Sequence, residues 1–209
     1  MKFNPDIHRR RSIRLKGYDY SKAGVYFVTV CAWQRGCLFG EIVDGKTRFN
    51  EYGRIVENEW LITPNVRDNV ELDYYIVMPN HFHGILIIND VGATRWVAQG
   101  ITSHERAIHR IAPTKTLKSN TIGSIMGQFK SIVTKRINEL RDNLGCPLWQ
   151  RNYYEHIIRS DDELNRTRQY IIDNPLKWEL DEENPANIPV GATRWVAQNR
   201  AIHRIAPTE

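Results

Sequence analysis

Two histidines flank a single phenylalanine in the stretch VMPNHFHGILII, residues 77–88. Side chains alternate faces along a strand, so His81 and His83 project together while Phe82 projects to the opposite face. Two imidazoles side by side suit one metal ion or one phosphate, but they do not complete a site. Tyr170 and Asn174 offer partners: four residues apart, they share one face of a helix at a separation of one turn. An amide oxygen is a hard ligand for Mg²⁺ or Mn²⁺, and a tyrosine hydroxyl can attack phosphorus when a metal polarises the phosphate. The same residues also read as structure, with Tyr170 a half-buried helix aromatic and Asn174 a helix-end residue before Pro175. Tyr153 and Tyr154 compete for a nucleophilic role, although they fall on a predicted strand and lack a helical companion. Cys31, Cys37 and Cys146 form neither a disulfide framework nor a thiolate zinc pattern.

The elements that must position these groups follow from periodicity. VYFVTVCAW, residues 25–33, is β-branched and aromatic and predicts a buried strand. Tyr52, Ile55, Val56 and Trp60 make one apolar face of a helix over residues 50–62. A second strand over residues 70–78, a turn at Pro79-Asn80 and a third strand over residues 81–88 should pair antiparallel. Ile125, Phe129, Ile132, Val133 and Ile137 predict a longer helix within residues 121–140. A short fourth strand, YYEHIIR, comes next, and Ser160 with Glu163 forms a capping-box pattern for a last helix that Pro175 ends. This order predicts an α+β, ferredoxin-like antiparallel sheet with helices on one face, plus a terminal helix that carries Tyr170.

The chain has 209 residues, a net charge of +5 and a pI near 9.1, compatible with a polyanionic partner. Much of the excess lies in Arg9, Arg10, Arg11, Arg14 and Lys16, a block able to neutralise several phosphates. No apolar run is long enough to span a membrane, and the basic amino terminus lacks the apolar core of a secretory signal, so the expected location is cytoplasmic. VGATRWVAQ occurs at residues 91–99 and again at 190–198, and RAIHRIAPT at 106–114 and again at 200–208. Two copies so far apart cannot stack as a solenoid and read as insertions, consistent with translated copies of a short DNA repeat. The expected organisation is one domain over residues 1–180, with a basic arm at 1–20, an inserted loop at about 91–115 and a tail at 181–209.

MPNHFHGIL, WQRNYYEHIIR and RQYIIDNPLKW, together with the opening RRSIRLKGYDYSKAGVYFVTV, resemble the REP-associated tyrosine transposases, relatives of insertion-sequence enzymes of the HUH single-strand type. The resemblance runs over roughly residues 9–180, apart from the inserted repeat. It implies a ferredoxin-like fold, His81, His83 and Asn174 as ligands of Mg²⁺ or Mn²⁺, and Tyr170 as the nucleophile. It further implies cleavage and rejoining of single-stranded DNA hairpins from palindromic repeats, through a 5′-phosphotyrosine, by a monomer or homodimer. Lys130, Lys135 and Arg136 would grip the DNA backbone with the basic arm, while Trp149 and Arg151 would stack or contact phosphate. Two other functions fit the residues: a hairpin-binding protein whose catalysis the insertions impair, and a metal-dependent hydrolase using His-x-His on another scaffold.

Overall fold

The structure, a computed structural model, describes residues 19–20, 22–89, 121–181 and 183–187. In chain order these form β1 (Gly24–Cys31), β2 (Gly40–Val43), β3 (Lys46–Phe49), α1 (Glu51–Val66), β4 (Val70–Val77), β5 (His81–Ile88), α2 (Ile122–Leu140), β6 (Tyr154–Ile158) and α3 (Asp161–Asp173). Arg9, Arg10, Arg11, Arg14 and Lys16 of the basic arm and both copies of the repeat lie outside the described residues.

Four strands form one antiparallel sheet in the order β4-β5-β1-β6, with the site strand β5 and β1 at its centre. That is the ferredoxin-like α+β order predicted from the sequence. Alternation divides each central strand between two cores. Tyr26, Val28 and Val30 of β1 and Phe82, Leu86 and Ile88 of β5 join Val56 and Trp60 of α1 and Ile125, Phe129 and Val133 of α2. On the opposite face Phe27, Ile85 and Ile158 meet Ile171 of α3. Phe82 is fully buried, its ring 4.7 Å from Trp60 and 5.4 Å from Phe129, so it anchors the strand while its histidine neighbours face the other way.

Side-chain caps set where the helices start. Asn50 accepts from the Gly53 N–H, Thr121 from the Ser124 N–H, and Ser160 from the Glu163 N–H. Helix α1 extends beyond the predicted residue 62 to Val66, accommodating Pro64 in its last turn. The hairpin β2–β3 adds to the predicted order. Its turn residues Asp44 and Gly45 both have positive φ, 52° and 68°, as a two-residue hairpin turn of primed type requires.

Strand β4 contains a bulge. It pairs with β5 from Val70 to Leu72 and again from Tyr75, leaving Asp73 and Tyr74 together opposite one residue. The extra residue returns Tyr75 and Val77 to the α1–α2 core, while Asp73, following Leu72, faces α3.

Candidate active site

The turn before β5 is fastened from three directions. Met78 N–H donates to the His81 carbonyl, Phe39 N–H to the Pro79 carbonyl and Ala32 N–H to the Asn80 carbonyl. Asn80 is fully buried, and its Nδ2 donates to the carbonyls of Arg35 (3.1 Å) and Glu183 (2.6 Å). With both amide protons on carbonyls, Asn80 Oδ1 must face His81 Nδ1, 2.8 Å away. An amide oxygen only accepts, so His81 carries its proton on Nδ1 and leaves Nε2 as a bare lone pair. The guanidinium of Arg35 meets the Glu183 carboxylate at 2.9 Å, tying the residues after β1 to the chain beyond α3.

Register places Thr29 of β1 directly across from His83. Thr29 Oγ1 lies 2.8 Å from His83 Nδ1, and the Tyr170 hydroxyl lies 3.4 Å from His83 Nε2. A threonine hydroxyl can donate or accept, so the tautomer in which Nε2 accepts from the tyrosine is the one in which Nδ1–H is donated to Thr29. The ring of Phe27 stacks on His83 at 5.5 Å and meets Tyr170 edge-on at 6.1 Å. The two histidine rings are 4.6 Å apart.

Asn174 is 3% exposed and caps α3 immediately before Pro175, one turn after Tyr170. Its side chain approaches both His81 and Tyr170, favouring protonation of the first and ionisation of the second. Even so, Asn174 Oδ1 and His81 Nε2 make no hydrogen bond of acceptable geometry, although both atoms are buried. Buried polar atoms are nearly always satisfied, so this pair of acceptors asks for a partner. Among the described residues no cluster of three or more His, Cys, Asp or Glu is arranged to hold a metal, and the polar atom with no hydrogen bond beside the histidines is the Asn174 amide oxygen. Two imidazole lone pairs and an amide oxygen suit a divalent cation.

Both imidazoles are held neutral. Burial pulls His81 down to about 4, against the opposing pull of Asp181 and Asn174. Burial and the neighbouring His81 push His83 well below the usual histidine range. Burial, reinforced by Asp181, raises the Tyr170 hydroxyl, so in the metal-free protein it is a phenol rather than a phenolate.

His81, His83, Tyr170 and Asn174 therefore converge, whereas Tyr153 and Tyr154 do not join them. Tyr154 starts β6 and packs on Phe27 at 6.2 Å, and Tyr153 packs against the α1–α2 core. The proposed DNA contacts fare differently. Lys130, Lys135, Trp149 and Arg151 line one groove of about 490 Å³ between α2 and residues 145–151. Lys135 is exposed and only loosely paired with Glu139 at 3.9 Å, and Arg151 is exposed. Lys130 instead donates to the carbonyls of Gln150 (2.7 Å) and Asn152 (3.2 Å), bracing that segment. Arg136 pairs with Glu59 across the α1–α2 interface. Trp149 is 6% exposed and packs on Phe39 at 4.9 Å, so the expected stacking face is spent on the core. Thr29 and Asn80 escaped the sequence reading. Asn80 adjoins His81 in a recognisable turn, but Thr29 becomes visible only once strand register is known.

Fold and site together define a ferredoxin-like α+β protein in which a His-x-His strand lies beneath a tyrosine-bearing helix. The chain belongs to one family with an uncharacterised protein of Haemophilus influenzae strain Rd: the two are 38% identical over 185 residues, covering 87% of this chain and 96% of the relative. No family model matches the chain. Among solved structures, a REP-associated tyrosine transposase bound to a REP hairpin aligns with a TM-score of 0.49 and 18% identity, covering 94% of this chain and 92% of that one. No helix among the described residues is long and apolar enough to cross a membrane.

Proposed function

We propose that this protein is a metal-dependent single-strand DNA endonuclease and strand transferase of the REP-associated tyrosine type, acting on hairpins of palindromic repeats. One observation carries the reading. Two buried acceptor atoms without hydrogen bonds, His81 Nε2 and Asn174 Oδ1, belong to residues grouped around a tyrosine hydroxyl 3.4 Å from a second imidazole. The resemblance of MPNHFHGIL, WQRNYYEHIIR and RQYIIDNPLKW to that family supports the same reading independently of the geometry.

His81, His83 and Asn174 would hold Mg²⁺ or Mn²⁺. When bound, the ion would withdraw charge from the scissile phosphate and favour ionisation of the phenol. The protein's own part is positional. Asn80 and Thr29 fix the histidine tautomers, Phe27 holds the rings of His83 and Tyr170, and α3 presents the hydroxyl. Tyr170 attacks phosphorus, a phosphotyrosine bond forms as the bond to the 3′-oxygen breaks, and the proton lost by the phenol is balanced by one gained at the 3′-hydroxyl. The covalent adduct conserves the phosphodiester's energy, so a later 3′-hydroxyl reverses the step and joins strands.

The test is incubation of the full chain with single-stranded hairpins from repeats flanking its gene, with Mn²⁺, scored for a denaturant-stable protein–DNA adduct. The adduct should form with metal, disappear with a chelator and be absent in Tyr170→Phe. An adduct that persists in Tyr170→Phe removes Tyr170 from the role. Hairpin binding without scission by the parent protein assigns it to recognition alone.

A further inference from the structure

We propose that Asp73 and Arg168 form a positioning pair that fixes where the tyrosine helix lies on the sheet; its catalytic consequence rests on Tyr170 being the nucleophile. Asp73 sits at the β4 bulge and is 4% exposed. The bulge leaves the Tyr74 N–H outside the ladder, and Asp73 Oδ1 accepts it at 2.7 Å. Arg168, two positions before Tyr170, closes a fork on the same carboxylate. Its Nε lies 3.2 Å from Oδ1 and 3.1 Å from Oδ2, and its Nη2 lies 2.5 Å from Oδ2. The guanidinium also covers the Tyr74 ring, 5.6 Å from its centroid.

This fork is one of two fastenings on opposite edges of the sheet. At the start of α3, Glu163 meets His156 of the edge strand β6 at 2.6 Å. Near its end, Arg168 reaches the other edge strand, β4. The helix thus crosses the sheet, carrying Tyr170 over the central strands that supply Phe27 and His83. The helix's own apolar footing is slight: Ile171 is its one buried apolar residue, with Leu164 partly buried. Apolar contact is non-directional and tolerates sliding, whereas a guanidinium–carboxylate fork fixes distance and plane together. A displacement of about 1 Å is enough to remove a nucleophile from productive geometry.

The pair is tested by placing 3-fluorotyrosine at position 170 and recording its fluorine resonance in the parent, Asp73→Asn and Arg168→Lys. The lysine keeps the charge and loses the fork. In the parent the resonance should be displaced from that of the free amino acid by the rings of His83 and Phe27. In both variants it should move toward the free position, while adduct formation slows roughly 10- to 100-fold and hairpin affinity is unchanged. An unmoved resonance in both variants overturns the proposal. So does loss of overall helicity by circular dichroism in both, because the pair would then hold the fold rather than aim one side chain. If the resonance moves but the parent itself forms no adduct, the positioning pair stands and the proposed strand transfer falls.

Discussion

Thr29 lies outside the proposed ligand set yet bears on its chemistry through His83. Its hydroxyl lies 2.8 Å from His83 Nδ1, and in the tautomer that metal binding requires it receives the Nδ1 proton and leaves the lone pair on Nε2. Thr29→Val keeps the shape and removes the acceptor, leaving a buried N–H unsatisfied at a cost of about 1–3 kcal/mol. Mn²⁺ affinity should fall roughly 10- to 100-fold, as is usual for groups that orient a metal-binding histidine. Calorimetric titration of the parent and the variant with Mn²⁺ checks this, and equal affinities would show that Thr29 does not orient the ring. Asn80 does the equivalent for His81, and its buried amide also braces Arg35, which has a positive φ of 58°.

At the level of elements, β5 joins two layers with opposite demands. Gly84 lets α1 approach closely: a Cβ there would stand 2.6 Å from Trp60 Cζ2 and 2.8 Å from Phe82 Cζ. Gly84→Ala should therefore destabilise the protein by about 1–3 kcal/mol in urea denaturation, the usual cost of overpacking a close-packed core. Helix α3 depends on polar fastenings as well as packing. Burial would raise Glu163, but hydrogen bonds from the Arg159 N–H and His156 outweigh it and hold the carboxyl below its usual value of 4.5. A carboxyl depressed in the folded state stabilises above its unfolded pKa, and that contribution is lost as pH falls through the folded value. The melting temperature of Glu163→Gln should thus lie below the parent's above pH 4.5 and converge with it at lower pH; a constant gap would contradict the assignment.

Which elements could be read in advance follows from the range of the forces that make them. Apolar periodicity and caps are local, so β1, α1, β4, β5, α2, β6 and α3 appear close to their predicted bounds. The hairpin β2–β3 was also announced locally, by Asp44-Gly45, but its strands are short and only partly buried, and hydrophobic pattern alone passes over them. Asp73–Arg168 is beyond such reading, because it spans 95 residues and depends on a bulge that no single segment encodes. Trp149 meets the same limit: an aromatic near an arginine suits a stacking surface or a core equally, and only the tertiary contact with Phe39 shows it to be core.

For the whole molecule, the excess of positive charge bears on recognition rather than on the chemistry of the site. If Arg9, Arg10, Arg11, Arg14 and Lys16 neutralise phosphates, the logarithm of hairpin affinity falls linearly with the logarithm of salt concentration. Replacing all five by Gln should flatten that slope by up to roughly 3.5, at about 0.7 per phosphate for single strands. Fluorescence anisotropy across a salt series would show it, and an unchanged slope would free the arm of any role in binding. The most direct test of strand transfer is to digest the protein–DNA adduct formed with Mn²⁺ and identify the linked peptide by mass spectrometry. The expected product is DNA joined through its 5′-phosphate to Tyr170; attachment at Tyr153 or Tyr154, or no adduct from metal-loaded protein that binds the hairpin, would contradict the proposed strand transfer.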